Sequence, residues 1–95
     1  MDEFIRLCDQ AIERARELRD ASRSAGDQRR AELADRAMAL LDQEREAARE
    51  GRIPPRSDGF GFGPTRFVSD NEWGPEGEDF VRAVYALQDR WARQT

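Results

Sequence analysis

FIRLCDQAIERARELRDAS, residues 4–22, is the stretch that decides the fold. Phe4, Cys8, Ala11, Ala15, Leu18 and Ser22 recur at alternating steps of four and three, and Ala25 continues the series. Such spacing places the side chains on one stripe of an α-helix, close to a heptad. Ile5 and Ile12 widen the stripe to one side, and charged residues fill the remaining faces. The spacing predicts a helix over residues 2–24, with Asp2 and Glu3 at the positive end of its dipole.

Ser24-Ala25-Gly26-Asp27 then breaks the period. Gly26 can close the first helix, and Asp27 can cap a second by accepting a backbone N–H. That second helix is expected from about Gln28 to Glu50, with Leu33, Ala34, Ala37, Met38, Leu40, Leu41, Ala47 and Ala48 as its apolar set. Glu32 and Arg36 stand four apart, and Asp20 and Arg23 three apart, so each pair can meet on a helix surface. Gly51 and then Pro54-Pro55 end the segment. Residues 1–50 therefore read as a helical hairpin with arms roughly 30 Å long at about 1.5 Å per residue. Its alanine-rich seam permits close approach but buries little area.

The bulk lies elsewhere. Phe4 is the one aromatic residue in the first fifty, whereas Phe60, Phe62, Phe67, Trp73, Phe80, Tyr85 and Trp91 follow. A third helix is expected to start near Pro75, which suits a first turn, and to carry Phe80, Val84, Leu87 and Trp91 as its stripe, with Val81 beside it. Between the two parts, residues 51–75 form a Gly/Pro-rich connector. In it, Gly59 to Phe62 and Arg66 to Ser69 could pair as a short β-hairpin around Gly63-Pro64-Thr65. The fold expected is mainly α and a single domain over residues 1–95. A long hairpin (1–50), the connector (51–75) and a C-terminal helix (76–95) packed back on the hairpin make it up, unless hairpins pair between chains instead.

Composition narrows the function. The chain has 95 residues, 38% hydrophobic and 38% charged. The charged share is well above the ~25% of ordinary globular chains, so a modest core sits under a heavily charged surface. Net charge is −4, which opposes a general affinity for nucleic acid or acidic membranes. All sixteen basic residues are arginine; this fits codon usage in a GC-rich bacterial or phage genome, and escape from lysine-directed tagging is the sharper alternative. One cysteine, Cys8, forms no internal disulfide and fits a reducing compartment. MDEFIRLCDQ is acidic and periodic, unlike a signal peptide, and no apolar run approaches the roughly 20 residues that span a bilayer. The expected location is cytoplasmic.

Four stretches invite chemistry. Gly59-Phe60-Gly61-Phe62 resembles a submotif of the RNA-recognition fold. That submotif wants a basic residue before it and a β-branched one after it. Here Asp58 precedes, Gly63 and Pro64 follow, and helical sequence replaces the sheet it sits in, so nucleic-acid binding is not expected. Asp70-Asn71-Glu72 starts like a calcium loop, but Trp73, Gly74 and Pro75 break the register; no metal or cofactor is expected. Ser69-Asp70-Asn71-Glu72 can instead be a capping box for the last helix. Catalysis lacks a histidine, and Cys8 falls on the apolar seam, where a buried hydrophobe is the common outcome. Tyr85-Ala86-Leu87-Gln88-Asp89 resembles the YxxxD signal of actinobacterial type VII secretion substrates, a family of helical hairpins. The likeness covers five residues, and the WxG turn of that family is missing at Ser24 to Asp27.

The expected function is therefore a non-enzymatic protein–protein interaction module, such as a regulator or inhibitor of a host protein encoded by a phage or mobile element. In size and composition the chain resembles phage inhibitors, anti-CRISPR proteins among them, without sharing a motif. Phe60, Phe62 and Trp73 would anchor the partner, and Asp70 and Glu72 would steer a basic one. Two alternatives stand beside it. One is a homo-oligomeric structural or assembly protein that pairs the seam of the first helix with a second copy. The other is a binder of a small anion, held by arginines such as Arg56 or Arg66.

Overall fold

The computed structural model describes residues 2–52 and 63–93. Among them run α1 (Asp2–Ser24), α2 (Gln28–Arg49), α3 (Gly63–Ser69), a 3₁₀ turn (Pro75–Gly77) and α4 (Glu78–Arg93). The fold is mainly α: α1 and α2 make the expected long hairpin, and α4 packs back on it.

Both hairpin arms stop in the same way. At the end of α1, Gly26 takes φ +78°, its N–H donates to Arg23 O at 3.1 Å, and the Asp27 N–H donates to Ser22 O at 2.8 Å. At the end of α2, Gly51 takes φ +80°, its N–H donates to Ala48 O at 3.0 Å, and the Arg52 N–H donates to Ala47 O at 2.8 Å. Each is a Schellman closure, in which a left-handed glycine lets two following amides satisfy orphan helix carbonyls. Asp27 also begins α2, because its Oδ1 accepts the Arg30 N–H at 3.1 Å.

The α1 stripe is buried as its spacing predicts: Phe4, Cys8, Ala11, Ile12, Ala15, Leu18 and Ser22 face inward, while Ala25, past the helix end, is exposed. Against it α2 buries Ala31, Ala34, Ala37, Leu41 and Ala48. Arginines lace the two arms together. Arg45 donates to Asp9 at 2.8 Å, and Arg19 and Arg23 both reach Asp35, at 3.3 and 3.4 Å. Arg23 thus pairs across the hairpin rather than with Asp20, which takes Arg19 at 3.2 Å. No ion pair joins Glu32 to Arg36.

Helix α4 lies on α1 with its stripe of Phe80, Val84, Leu87 and Trp91 buried. Gly77, just before it, sits beside Leu18, and Arg90 near its end lies by Glu3, so the two helices run in opposite directions. Helix α3 packs on both α2 and α4. Its Pro64 and Phe67 meet Leu40 and Leu41 on one side and Phe80 and Val84 on the other. The aromatic half therefore supplies the volume that the alanine seam lacks.

The connector corrects two expectations. Arg66 to Ser69 is helical, so it is not the second strand of a β-hairpin; Gly59 to Phe62 lie outside the described residues. Pro64 sits in the first turn of α3, where its fixed φ favours a helix. Three carbonyls at the other end find donors: Asp70 N donates to Arg66 O at 3.0 Å, Asn71 Nδ2 to Phe67 O at 2.9 Å, and Trp73 Nε1 to Val68 O at 2.9 Å. Nor is Ser69-Asp70-Asn71-Glu72 a capping box for the last helix. Ser69 closes α3, and the chain re-enters helix only after Gly74, through Pro75.

Candidate functional site

Between the head of α2 and the turn after α3 runs a surface groove of about 340 Å³. Asp27, Arg29, Arg30 and Leu33 line one bank; Asp70, Asn71, Glu72, Trp73 and Gly74 line the other. The groove exists because α3 is short. After about two turns the chain leaves α3, and Trp73 pins the turn that leads on to α4.

Trp73 is only 5% exposed. Its ring centroid lies 5.0 Å from that of Phe80 in an edge-on contact and 5.9 Å from that of Phe67. With Nε1 bonded to Val68 O, both its apolar body and its polar edge are satisfied inside. The expected partner-facing ring is therefore a core residue, because a cluster of three aromatics offers it more burial than any surface position. Gly77 seals it from behind: a Cβ there would come within 2.5 Å of Trp73 Cβ.

Asp70 and Glu72, flanking Asn71 on this turn, are exposed, and neither forms an ion pair among the described residues. They contrast with the hairpin acids, where Glu3 takes Arg6, Glu13 takes Arg16, Glu17 takes Arg14 and Asp9 takes Arg45. Across the groove, exposed Arg29 also has no ion pair among the described residues. Phe60 and Phe62, the other expected anchors, lie outside the described residues, as does Arg56. Arg66 is exposed on α3, away from the groove lining.

Sequence reasoning missed Arg30. Its side chain is 15% exposed, its Nε donates to the buried Ser22 Oγ at 2.8 Å, and its Nη1 donates to Glu76 Oε2 at 3.0 Å. The signal that could have found it is Ser22, a hydroxyl on an otherwise apolar stripe. A buried hydroxyl demands a partner, and the next helix offers an arginine eight residues on.

Other chemistry is sparse. Cys8 is fully buried, and burial, helped by the nearby charges of Glu44 and Asp9, pushes its thiol up to about 12. Such a thiol is protonated at neutral pH and is no nucleophile. No group of acids, cysteines or histidines among the described residues is arranged to hold a metal ion, and no described helix is long and apolar enough to cross a membrane. Tyr85 is 42% exposed, with its hydroxyl 3.3 Å from Ser69 Oγ. A second groove of about 400 Å³, at the far end of the bundle, is lined by Glu3, Leu7, Ala86, Asp89, Arg90 and Arg93. No protein-family model matches the chain, and neither does any curated protein or solved structure.

Proposed function

We propose that the chain is a small, non-enzymatic protein–protein interaction module that docks a basic segment of its partner along the groove beside Asp70 and Glu72. The observation that carries the reading is that these two carboxylates stand exposed and without an ion pair on the rim of a groove, in a chain whose helix acids mostly hold arginines. Two unpaired carboxylates attract a basic partner at range and set its register on contact. Trp73 takes part as the internal pin of the turn, not as an anchor. Phe60 and Phe62, two residues apart and close in sequence to α3, are proposed as the apolar part of the contact. Small size and acidic charge support the finer reading of a regulator or inhibitor of a host protein, encoded by a phage or mobile element.

The assembly reading relied on the α1 seam. That seam is buried within the chain, from Phe4 to Ser22, so a second copy would need another surface. Light scattering behind a sizing column separates the two: a mass near 10.9 kDa favours the docking module. The direct test is capture from bacterial lysate by the immobilised protein and by an Asp70→Asn/Glu72→Gln double variant with an unchanged thermal melt. A partner held by the parent and lost by the variant supports the reading. A partner held equally by both overturns it.

A further inference from the structure

We infer that Arg30 is the positioning residue of this groove: it clasps the segment 70–77 to the hairpin turn and so fixes how Asp70 and Glu72 stand. The inference rests on the docking reading for its functional half and on the contacts of Arg30 for its structural half.

The guanidinium joins three parts of the chain. Nε bonds Ser22 Oγ near the end of α1 at 2.8 Å and lies 3.7 Å from Asp27 Oδ2 at the α2 cap; Nη1 bonds Glu76 Oε2 at 3.0 Å. Arg30–Glu76 is the one ion pair among the described residues that ties the segment 70–77 to the hairpin. Gly74 is shaped by the same contact. Its φ is +71°, a conformation that favours glycine, and a Cβ there would press on Glu76 Oε2 at 3.1 Å and Arg30 Nη1 at 3.3 Å, the two ends of the clasp. Ser22, Arg30, Gly74 and Glu76 thus have one explanation between them. Trp73 anchors the segment from below, and Arg30 holds its outer edge, on which Asp70 and Glu72 lie.

Arginine is required for its fork. Lysine carries the same charge on a single point and cannot serve Ser22 and Glu76 at once in these directions. Because Glu76 is largely exposed, the clasp is weak enough to open without unfolding the bundle.

Amide hydrogen exchange reads the clasp. The Asn71 N–H donates to Val68 O at the end of α3, and the Gly77 N–H to Gly74 O within the segment. Glu76→Gln is expected to speed their exchange by up to about fivefold, the range for losing an exposed pair, with α1 and α2 amides unchanged. In 1 M NaCl, where the screening length falls to about 3 Å, the parent should show the same rise and the variant no further one. No rise, or an equal rise in every helix, overturns the clasp. The functional half uses a hexa-arginine peptide as probe, titrated against the parent, the Asp70→Asn/Glu72→Gln double variant and Arg30→Lys, which keeps the net charge. The parent should bind, the double variant should lose binding, and Arg30→Lys should bind up to about fivefold more weakly. If the parent ignores the peptide, the docking reading falls and the positioning role with it, while exchange still decides the clasp. If Arg30→Lys binds like the parent, Arg30 holds structure only and the inference is overturned.

Discussion

The hairpin and the aromatic half solve the same packing problem with opposite means. On the hairpin the buried residues are mostly small, Ala11 and Ala15 on α1 and Ala31, Ala34, Ala37 and Ala48 on α2, which lets two backbones come close. Arginine–carboxylate pairs close its edges, as Arg45–Asp9 and Arg19–Asp35 do. Between α4, α3 and the turn, the contact is made of Phe80, Phe67 and Trp73, large rings that fill volume. The first is a seam, whose precision comes from having no room. The second is a plug, whose strength comes from buried area. A seam should tolerate loss of bulk and resist gain; a plug should do the reverse.

The plug is broken most severely by Trp73→Ala. It removes a ring packed on two others and the bond to Val68 O, and it should cost about 3–5 kcal/mol, the range for large aromatic truncations. A urea titration followed by circular dichroism measures it. A cost under about 1 kcal/mol would mean that Trp73 is not the pin of the turn. The seam is tested from the other side by Ala34→Leu, which forces a larger side chain between close helices and should cost about 1–3 kcal/mol. Stabilisation by this change would show that the seam has slack.

This division also explains what could be read from the residues alone. Seam and plug each leave a period in the sequence, so α1, α2 and α4 were legible, together with the glycine stops and the Asp27 cap. Helix α3 was not. Seven residues carry barely two turns of period, and glycines around aromatics imitate a strand. What makes α3 a helix lies outside its own seven residues: it packs on α2 and α4, and Phe67 O and Val68 O find donors in Asn71 and Trp73, four and five residues on. The candidate site was half legible for a similar reason. Charge alone marks Asp70 and Glu72 as exposed. An isolated tryptophan has no neighbours in period to say which way it faces, so the burial of Trp73 needed the fold. Arg30 looked like one arginine among sixteen until Ser22 and Glu76 were seen on either side of it.

Smaller changes sharpen the contrast. Thr65 is buried on α3, and among the described residues its Oγ1 has no hydrogen-bond partner. A hydroxyl left unsatisfied costs about 1–3 kcal/mol, and an apolar side chain of the same shape avoids the cost. Thr65→Val should therefore raise stability by about 1 kcal/mol, visible as a higher urea midpoint with an unchanged slope. A loss instead would mean that the hydroxyl does bond within the fold.

The seam holds one misplaced charge. Ala34, Ala37, Leu41, Glu44 and Ala48 follow the heptad along α2, so Glu44 stands where a small apolar residue would continue the pattern. Desolvation by burial raises its pKa. The sign follows from linkage: with a folded pKa above the unfolded one, the stability linked to this group is complete below the unfolded pKa and is lost as pH rises through the folded one. At neutral pH the ionised carboxylate is therefore a burden on the hairpin. Glu44→Gln should stabilise the chain at pH 7 by a fraction of a kcal/mol, since the group keeps part of its hydration. The advantage should fade as the pH falls toward the ordinary carboxylate range, about 4.3 for glutamate, and be gone below it. Paired urea titrations at pH 3.5, 5 and 7 read the difference between the two proteins directly. An advantage that stays constant with pH would assign the gain to packing, and the seam would then be tight at Glu44 for reasons of shape, not of charge.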